Sequence, residues 1–487
     1  MNLEHFFSQF REHIIGINQT FNSPYGEQKV VYADWTASGR LYRPIEEKIC
    51  NELGPFVANT HTETSTTGAA MTLAYHEARK IIKRHVNANE NDVLITAESG
   101  MTGVVNKFQR ILGLKVSESL KSHTTIPDEV KPIIFISHME HHSNQTSWLE
   151  TIADVEVVPA DKNGLVSIEN FENCIKKYQH REIKMVAITS CSNVTGIKTP
   201  YHQIAKLIHQ YNGLCFVDFA CCAPYVDINM HPENEEEYID AIFFSPHKFL
   251  GGPGSAGVLI FNKKLYKNIV PDNPGGGTVS YTNPWGQHDY FEDVETREDG
   301  GTPAFLQTIK IAFAIQLKEK MGLSNIEKRE NEINKILFET LESLNEVQIL
   351  APNHKKRLSI FSFYFEKYHF NLVVKLLNDR FGIQTRGGCS CAGTYGHYLL
   401  NVDQETSTKI KNQISKGCNT EKPGWVRLSL HPTITNDELQ FICNALKELA
   451  VHIDSWSKEY VYDSSKNDFL HKEILSTEKE LVTSWFS

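Results

Sequence analysis

No stretch of the 487-residue sequence approaches the ~18 consecutive apolar residues that cross a bilayer, which excludes a membrane-spanning helix. An excess of basic charge is also missing: 49 Lys and Arg stand against 59 Asp and Glu, and the net charge of −10 argues against a surface built to coat nucleic acid. The ten cysteines form no paired CxxC framework, and Cys221 and Cys222 are adjacent, so their spacing points to a reducing compartment, the cytoplasm, and not to a disulfide scaffold. Internal repeats and low-complexity tracts are absent. The N-terminal apolar run is not that of a signal peptide, because Glu4, Arg11 and Glu12 interrupt it. Leu3, Phe6, Phe7, Phe10 and Ile14 instead share one face of a helix expected to pack on the body of the protein. With 40% hydrophobic and 22% charged residues, the chain is that of an ordinary globular protein. At roughly 150 residues per domain its length allows about three domains or two large ones.

Seven short apolar runs are each followed by a turn and a helical pattern: Val93–Thr96, Ile133–Ser137, Val155–Pro159, Met185–Thr189, Cys215–Asp218, Ala241–Ser245 and Gly257–Phe261. Runs without polar alternation suit strands buried on both faces, so the expected fold class is α/β with a mainly parallel sheet. Ligands in such sheets bind beyond the carboxyl ends of the strands. After the Gly-rich segment Pro274–Gly277, a helical pattern extends from near Pro303 to about Leu344. The run Leu358–Phe365, a helix Asn371–Arg380, the loop Arg386–Gly396 and the strand–helix pair Trp425–Leu430 and Asn436–Val451 then predict a smaller α+β unit. The expected organisation is a large domain over 30–310, a small domain from 1–29 and 311–452, and a C-terminal extension over 453–487. Segments 117–131 and 401–422 and the charged tail from Asp454 read as surface insertions, the tail as partly disordered.

The unusual residues cluster after the strands. In Asp240-Ala-Ile-Phe-Phe-Ser-Pro-His-Lys-Phe-Leu-Gly-Gly, a buried strand ends in Ser245, His247 and Lys248. Desolvation there lowers a lysine pKa and frees the amine for Schiff-base chemistry; the plain alternative is a loop lysine in solvent. Asp218 ends another strand, where a carboxylate either caps the next helix or holds a pyridine nitrogen protonated, as pyridoxal-phosphate enzymes require. Gly100-Met101-Thr102-Gly103 joins a strand to a helix and offers free N–H groups to a phosphate, although this turn has neither GxxxxGK[ST] nor GxGxxG spacing. In His138-Met-Glu-His141-His142, a zinc site is disfavoured because HExxH is missing and neighbouring histidines point apart; an imidazole stacked on an aromatic cofactor fits better, against a purely structural role for His138 and His142. Arg386-Gly-Gly-Cys389-Ser-Cys391-Ala-Gly393 sets two thiols on a Gly-rich loop beside an arginine, a setting for a reactive thiolate. Metal ligation is the rival there, but no second cysteine pair completes it. Arg427 lies within an apolar strand, and a buried guanidinium demands a carboxylate, which a substrate can supply.

Taken in order from Tyr32-Ala-Asp-Trp-Thr-Ala-Ser to Arg427, these segments resemble the class V aminotransferase family, within it the cysteine desulfurase and selenocysteine lyase branch, over nearly the whole chain to about residue 450. The resemblance implies the fold type I of pyridoxal-phosphate-dependent transferases, a homodimer, and pyridoxal 5′-phosphate as cofactor. It implies Lys248 as the Schiff-base lysine, Asp218 as partner of the pyridine nitrogen and His141 as the ring-stacking residue. Asn193 matches the asparagine near the cofactor's phenolic oxygen. Gly100, Met101, Thr102, Ser245 and His247 fall at the phosphate, and Thr302 matches a phosphate ligand from the other subunit. Arg427 matches the carboxylate-binding arginine, Arg386 is assigned to the substrate as well, and Cys391 falls at the sulfur-accepting cysteine. Two positions depart from that branch: Cys221 stands where a glutamine or histidine is usual, and Cys389-Ser390 replaces paired histidines. The resulting expectation is an enzyme that acts on an amino acid, converting cysteine to alanine with a persulfide left on Cys391 for a protein acceptor. A lyase, aminotransferase or epimerase without a thiol step is the alternative within the family, and a catalytically silent scaffold the alternative outside it.

Overall fold

The computed structural model describes residues 2–60, 62–417, 420, 422–473 and 478–487. The described chain packs as two compact units, one drawn from residues 37–192 and 198–324 and the other from 1–36, 193–197 and 325–487. The larger unit ends beyond position 310 because the helix Phe305–Met321 packs on the helix Thr66–His85 of the same unit. The smaller unit takes in the short segment Asn193–Ile197 and the C-terminal residues that the sequence sets apart as an extension.

In the larger unit seven strands form one sheet: β1 Asp92–Ala97, β2 Ile133–Ser137, β3 Asp154–Val158, β4 Lys184–Thr189, β5 Leu214–Asp218, β6 Ala241–Phe244 and β7 Gly257–Asn262. Their spatial order is β1-β7-β6-β5-β4-β2-β3. All neighbours are parallel except β7, which runs antiparallel to both β1 and β6. Strands β2, β4 and β6 are buried at every position, which is why their sequences show no polar alternation. One face packs Phe108 of the helix Met101–Ile111 edge-on against Phe216, at 5.1 Å between ring centroids, with Trp148, Phe243 and Phe261 in the same core. The expected α/β class and mainly parallel seven-stranded sheet are what the structure shows.

In the smaller unit β8 Val347–Ile349, β9 Ile360–Phe365, β10 Arg386–Gly388 and β11 Trp425–Ser429 form an antiparallel sheet in the order β8-β9-β11-β10. Phe361, Phe363, Leu377 and Leu446 sit in its core with the helices Phe370–Phe381 and Asn436–Trp456. The N-terminal helix Leu3–Arg11, capped by the Asn2 side chain, buries Leu3, Phe7 and Phe10, with Ile14 buried beyond it and Phe6 half-buried.

Three expectations are corrected. The loop expected over Arg386–Gly396 opens as strand β10, because Arg386–Gly388 pairs with β11, and closes in the helix Gly393–Leu399, leaving only the turn 389–392 between them. The single long helix from 303 to 344 is two helices, Phe305–Met321 and Leu323–Glu342, broken at Gly322, whose φ of 75° lies in the left-handed region open to glycine. The tail from Asp454 is structured over much of its length: Tyr460–Asp463 and Asp468–His471 pair as a hairpin, and Glu478–Trp485 is helical. Tyr460 Oη donates to Asp379 at 2.9 Å, and Arg380, ion-paired to Glu459 at 2.7 Å, lies over the rings of Tyr25 and Trp456. Among the described residues no helix is long and apolar enough to cross a membrane.

Candidate active site

At the carboxyl ends of β5 and β6, the larger unit gathers the residues that the sequence singles out. These strands are parallel neighbours, with Asp218 in register with Phe243, so Asp218 and the Ser245–Lys248 turn emerge side by side. The Asp218 carboxylate is buried and accepts a hydrogen bond from Ala220 N at 2.7 Å. Burial pushes its pKa up to about 6, against the pull of that N–H and of the Lys248 charge. A buried carboxylate so placed gains from a cationic partner. His247 is driven the other way, to about 4, by burial and then by Lys248, so its imidazole is neutral at physiological pH. The turn itself is held from Ser38-Gly39: Gly39 N donates to His247 O at 2.9 Å, and a Cβ at Gly39 would meet Phe249 O at 2.0 Å, so only glycine fits.

A phosphate-sized cradle lies at the N-terminus of the helix Met101–Ile111. Met101 N donates to Ser245 Oγ at 2.8 Å, and a Cβ added at Gly100 would stand 3.3 Å from that oxygen and 3.8 Å from His247 Nε2. Helix N–H groups, a hydroxyl and an imidazole thus converge where the macrodipole favours an anion. Thr102 Oγ1 lies 2.6 Å from Ser143 Oγ, and Ser143 N donates to His141 Nδ1 at 3.1 Å. That bond leaves the neutral ring's proton on Nε2 and couples the orientation of His141 to the cradle. His138, by contrast, is buried with Nε2 3.1 Å from Gly164 O, the structural role. Thr302 stands exposed on the turn after Gly301, whose φ is 83°.

The structure adds Glu140, to which the sequence gives no role. Its carboxyl group is fully buried and accepts from Ser137 Oγ at 2.5 Å, Thr189 N at 3.0 Å and Asn144 Nδ2 at 2.7 Å, tying the ends of β2 and β4 to the helix that follows His141. Burial pushes it up to about 8. The signal was a lone carboxylate between Met139 and His141 at the end of an apolar strand. Cys221, three residues after Asp218, is buried with its thiol directed at Ser192 O at 3.7 Å, and Cys191 and Cys222 are buried free thiols near it.

The smaller unit holds the remaining residues. Arg427 on β11 is 2% exposed; its Nη2 donates to Asp34 Oδ1 at 2.6 Å and its Nη1 to Asn193 O at 3.4 Å, while Nε is buried without a hydrogen-bond partner. Part of the carboxylate that the sequence demands for this guanidinium therefore comes from the chain itself. Arg386 on β10 is the cross-strand partner of Arg427, so both side chains share one face of the sheet. Like charges directly opposite repel, and an anionic ligand offsets that repulsion. Asn193 Nδ2 donates to Ser390 O at 2.7 Å, and Trp425 Nε1 donates to Ser390 Oγ at 3.2 Å. Cys389 to Ala392 form a tight turn closed by Ala392 N on Cys389 O at 3.0 Å, with Ser390 and Cys391 both left-handed at φ 51° and 56°. Two consecutive non-glycine residues in that region mark a strained loop, a feature that concentrates at functional sites.

This donor set suits pyridoxal phosphate: an anion cradle for its phosphate, a buried carboxylate for its ring nitrogen and a lysine amine for its aldehyde. The comparisons agree. The profile of class V aminotransferases matches residues 31–442. A probable cysteine desulfurase of Halalkalibacterium halodurans is 29% identical over 367 residues, covering 74% of this chain and 84% of that protein. One from Staphylococcus aureus is 28% identical over 392 residues, covering 78% and 89%. Among solved structures, a cysteine desulfurase of Thermococcus onnurineus superposes with a TM-score of 0.72 at 24% identity, over 91% of this chain and 98% of that one. One from Escherichia coli gives 0.70 at 20% identity, over 92% and 98%. The seven-stranded sheet is accordingly that of fold type I. With the profile spanning the strands that carry Asp218 and Lys248 as well as the strand that carries Arg427, this chain belongs to the class V aminotransferase family.

Proposed function

We propose that this protein is a pyridoxal-phosphate enzyme that removes sulfur from cysteine, leaving alanine and a persulfide on Cys391. The observation that carries the cofactor assignment is the placement of a buried Asp218 beside Lys248 at the ends of two adjacent parallel strands, with the helix N-terminus and Ser245 next to them. Pyridoxal phosphate supplies, when bound, an aldehyde for the substrate amine and a ring that accepts electrons from Cα. Gly100, Met101, Thr102, Ser245 and His247 would hold its phosphate, His141 would face its ring, Asn193 would serve its phenolic oxygen, and Asp218 would keep a proton on the ring nitrogen. Lys248 would hold the cofactor through its amine and would move the proton at Cα. Arg427 and Arg386 orient the substrate carboxylate. Cys391 is the nucleophile for the substrate sulfur. Relatives named as probable cysteine desulfurases, and the strained CxC turn, favour this reading over a thiol-free lyase, aminotransferase or epimerase.

The reading includes a homodimer in which Thr302 completes the partner's phosphate site, a protein acceptor for the sulfur, and a reducing, cytoplasmic setting in keeping with the nine free cysteines among the described residues. The test is an assay of the purified protein with a panel of amino acids, scoring alanine, sulfide and keto acids. Lys248→Ala is expected to lose the imine absorbance and turnover while remaining folded. Cys391→Ser is expected to lose desulfuration of cysteine, and sulfide release at the wild-type rate by the Cys389→Ser/Cys391→Ser double variant would replace this reading with the thiol-free one.

A further inference from the structure

The insertion after the CxC turn forms a helix, Gln404–Ser415, with no buried residue. It nevertheless presents an organised face: Ser407, Ile410, Lys411, Ile414 and Ser415 fall at helical spacing and line one cavity of about 270 Å³ within the smaller unit. The opposite wall is Trp425, fully buried, and Cys389 opens into the same space. The helix is pinned at this distance by His397, whose Nε2 lies 2.8 Å from Ser407 Oγ and whose Nδ1 lies 2.8 Å from Gly393 O. An apolar space is thus held open beside a thiol.

The lining also has a charge preference. Among the described residues, Lys411 and Lys422 border the cavity, no aspartate or glutamate does, and neither lysine is ion-paired. Trp425 joins the cavity to the turn, since the indole that forms its wall also donates to Ser390 Oγ at 3.2 Å. Cys389 and Cys391 are two residues apart, which limits their Cα separation to about 7.6 Å. A sulfur carried on Cys391 extends that thiol by one S–S bond of about 2 Å, within reach of its neighbour.

We propose that this cavity binds a low-molecular-weight thiol bearing carboxylates, and that Cys389 hands it the sulfur first captured by Cys391. The proposal rests on the reading of Cys391 as the sulfur-accepting residue. In the first step the Cys389 thiolate attacks the terminal sulfur of the Cys391 persulfide. A new S–S bond forms on Cys389, the bond to Cys391 breaks, and Cys391 leaves as a thiolate. In the second step the thiolate of the bound ligand attacks the terminal sulfur on Cys389, which forms the ligand persulfide and releases Cys389 as a thiolate. Each step exchanges one S–S bond for another, so the sulfur moves without net oxidation or reduction. Lysines bordering the cavity bind the ligand carboxylates, and Ile410, Ile414 and Trp425 cover its apolar part.

Two measurements on the full-length holoenzyme separate the site from the desulfurase reading. The first needs no turnover: alkylation of Cys389 by anionic iodoacetate and by neutral iodoacetamide, followed by mass spectrometry of the loop peptide. The ratio of the two rates is expected to be at least fivefold higher at Cys389 than at Cys391. It should fall to the Cys391 value in Lys411→Gln/Lys422→Gln, and mercaptosuccinate should protect Cys389. Ile414→Trp, which fills the cavity, should slow both reagents at Cys389 alone. Equal ratios at the two thiols would overturn the site. The second measurement supplies cysteine, with mercaptosuccinate or dithiothreitol as acceptor. Ile414→Trp is expected to lose at least fivefold of the transfer to mercaptosuccinate while alanine formation with dithiothreitol is retained, and Cys389→Ser should accumulate persulfide on Cys391. Undiminished transfer in both variants, with persulfide present on wild-type Cys391, would overturn the relay and leave the desulfurase reading standing. Absence of any persulfide on wild-type Cys391 would overturn that reading and the relay with it.

Discussion

At the scale of single residues, the site places buried charges where they are unfavourable until a ligand arrives. Asp218 is the plainest case. Its folded pKa of about 6 lies above the ordinary 3.8, so the folded chain binds the proton more tightly than the unfolded one. The group is therefore most favourable to the apo-protein below its ordinary pKa, and that contribution, about 3 kcal/mol at roughly 1.4 kcal/mol per pKa unit, is lost as pH rises through about 6. Asp218→Asn keeps the acceptor for Ala220 N and removes the charge. The apo-variant is expected to be more stable than wild-type apo-protein at pH 8, to match it more closely near pH 4, and to turn over at least tenfold slower; urea unfolding across pH and a cysteine assay check both. Asp34 carries the opposite expectation. It is the carboxylate partner of Arg427, and its removal leaves a guanidinium buried without compensation, which costs about 3 kcal/mol. Asp34→Ala should lower the urea midpoint and raise KM for the amino acid. Lys248, Asp218, Ser245 and His247 were legible because apolar strands end on them. Asp34 and Glu140 were not, since their roles consist of contacts with Arg427 and Thr189, which are remote in the chain.

At the scale of elements, the strands of the seven-stranded sheet were legible to within a residue because burial writes a nearly uninterrupted apolar run, whereas the short edge strands β8 and β10 of the smaller sheet were not. The break at Gly322 was not, because one glycine inside a helical pattern is usually tolerated and only its positive φ reveals the turn. The tail hairpin was hidden for another reason: its composition is charged, and the residues that hold it, Tyr25, Asp379 and Arg380, lie far away in sequence. Glycines between elements carry a further expectation. Gly257 opens β7 opposite Ala97, and a Cβ there would stand 2.4 Å from Gly100 O, a backbone atom that cannot swing aside. Gly257→Ala must therefore push the turn that leads into the helix Met101–Ile111 and disperse the N–H groups of the cradle. Cofactor affinity is expected to fall at least tenfold while the far-ultraviolet circular dichroism is kept, as measured by fluorescence titration with pyridoxal phosphate.

At the scale of the molecule, the larger unit leaves conspicuous apolar side chains in solvent. Trp285 is 83% exposed, Ile269 80% and Leu73 67%. Single exposed hydrophobics are normal on a protein surface, but Trp285 is set in a built turn. It sits between the strands Val279–Thr282 and His288–Tyr290, where Asn283 Oδ1 accepts from both Trp285 N and Gln287 N at 3.0 Å. Ordering a tip that ends in a bare indole is unfavourable unless the ring is covered, and a second copy of the chain packed on this face would cover it. The same arrangement would give the exposed Thr302 a role that its own chain does not give it. Trp285→Asp/Ile269→Asp is therefore expected to shift the protein from twice its 55.4 kDa chain mass to a single chain in sedimentation equilibrium at micromolar concentration. If Thr302 completes the partner's phosphate site, the monomeric variant should also retain pyridoxal phosphate poorly through gel filtration, and Thr302→Ala should weaken cofactor retention without changing the mass. Wild-type protein that sediments as a single chain with its cofactor and full activity would show that one subunit completes the site alone.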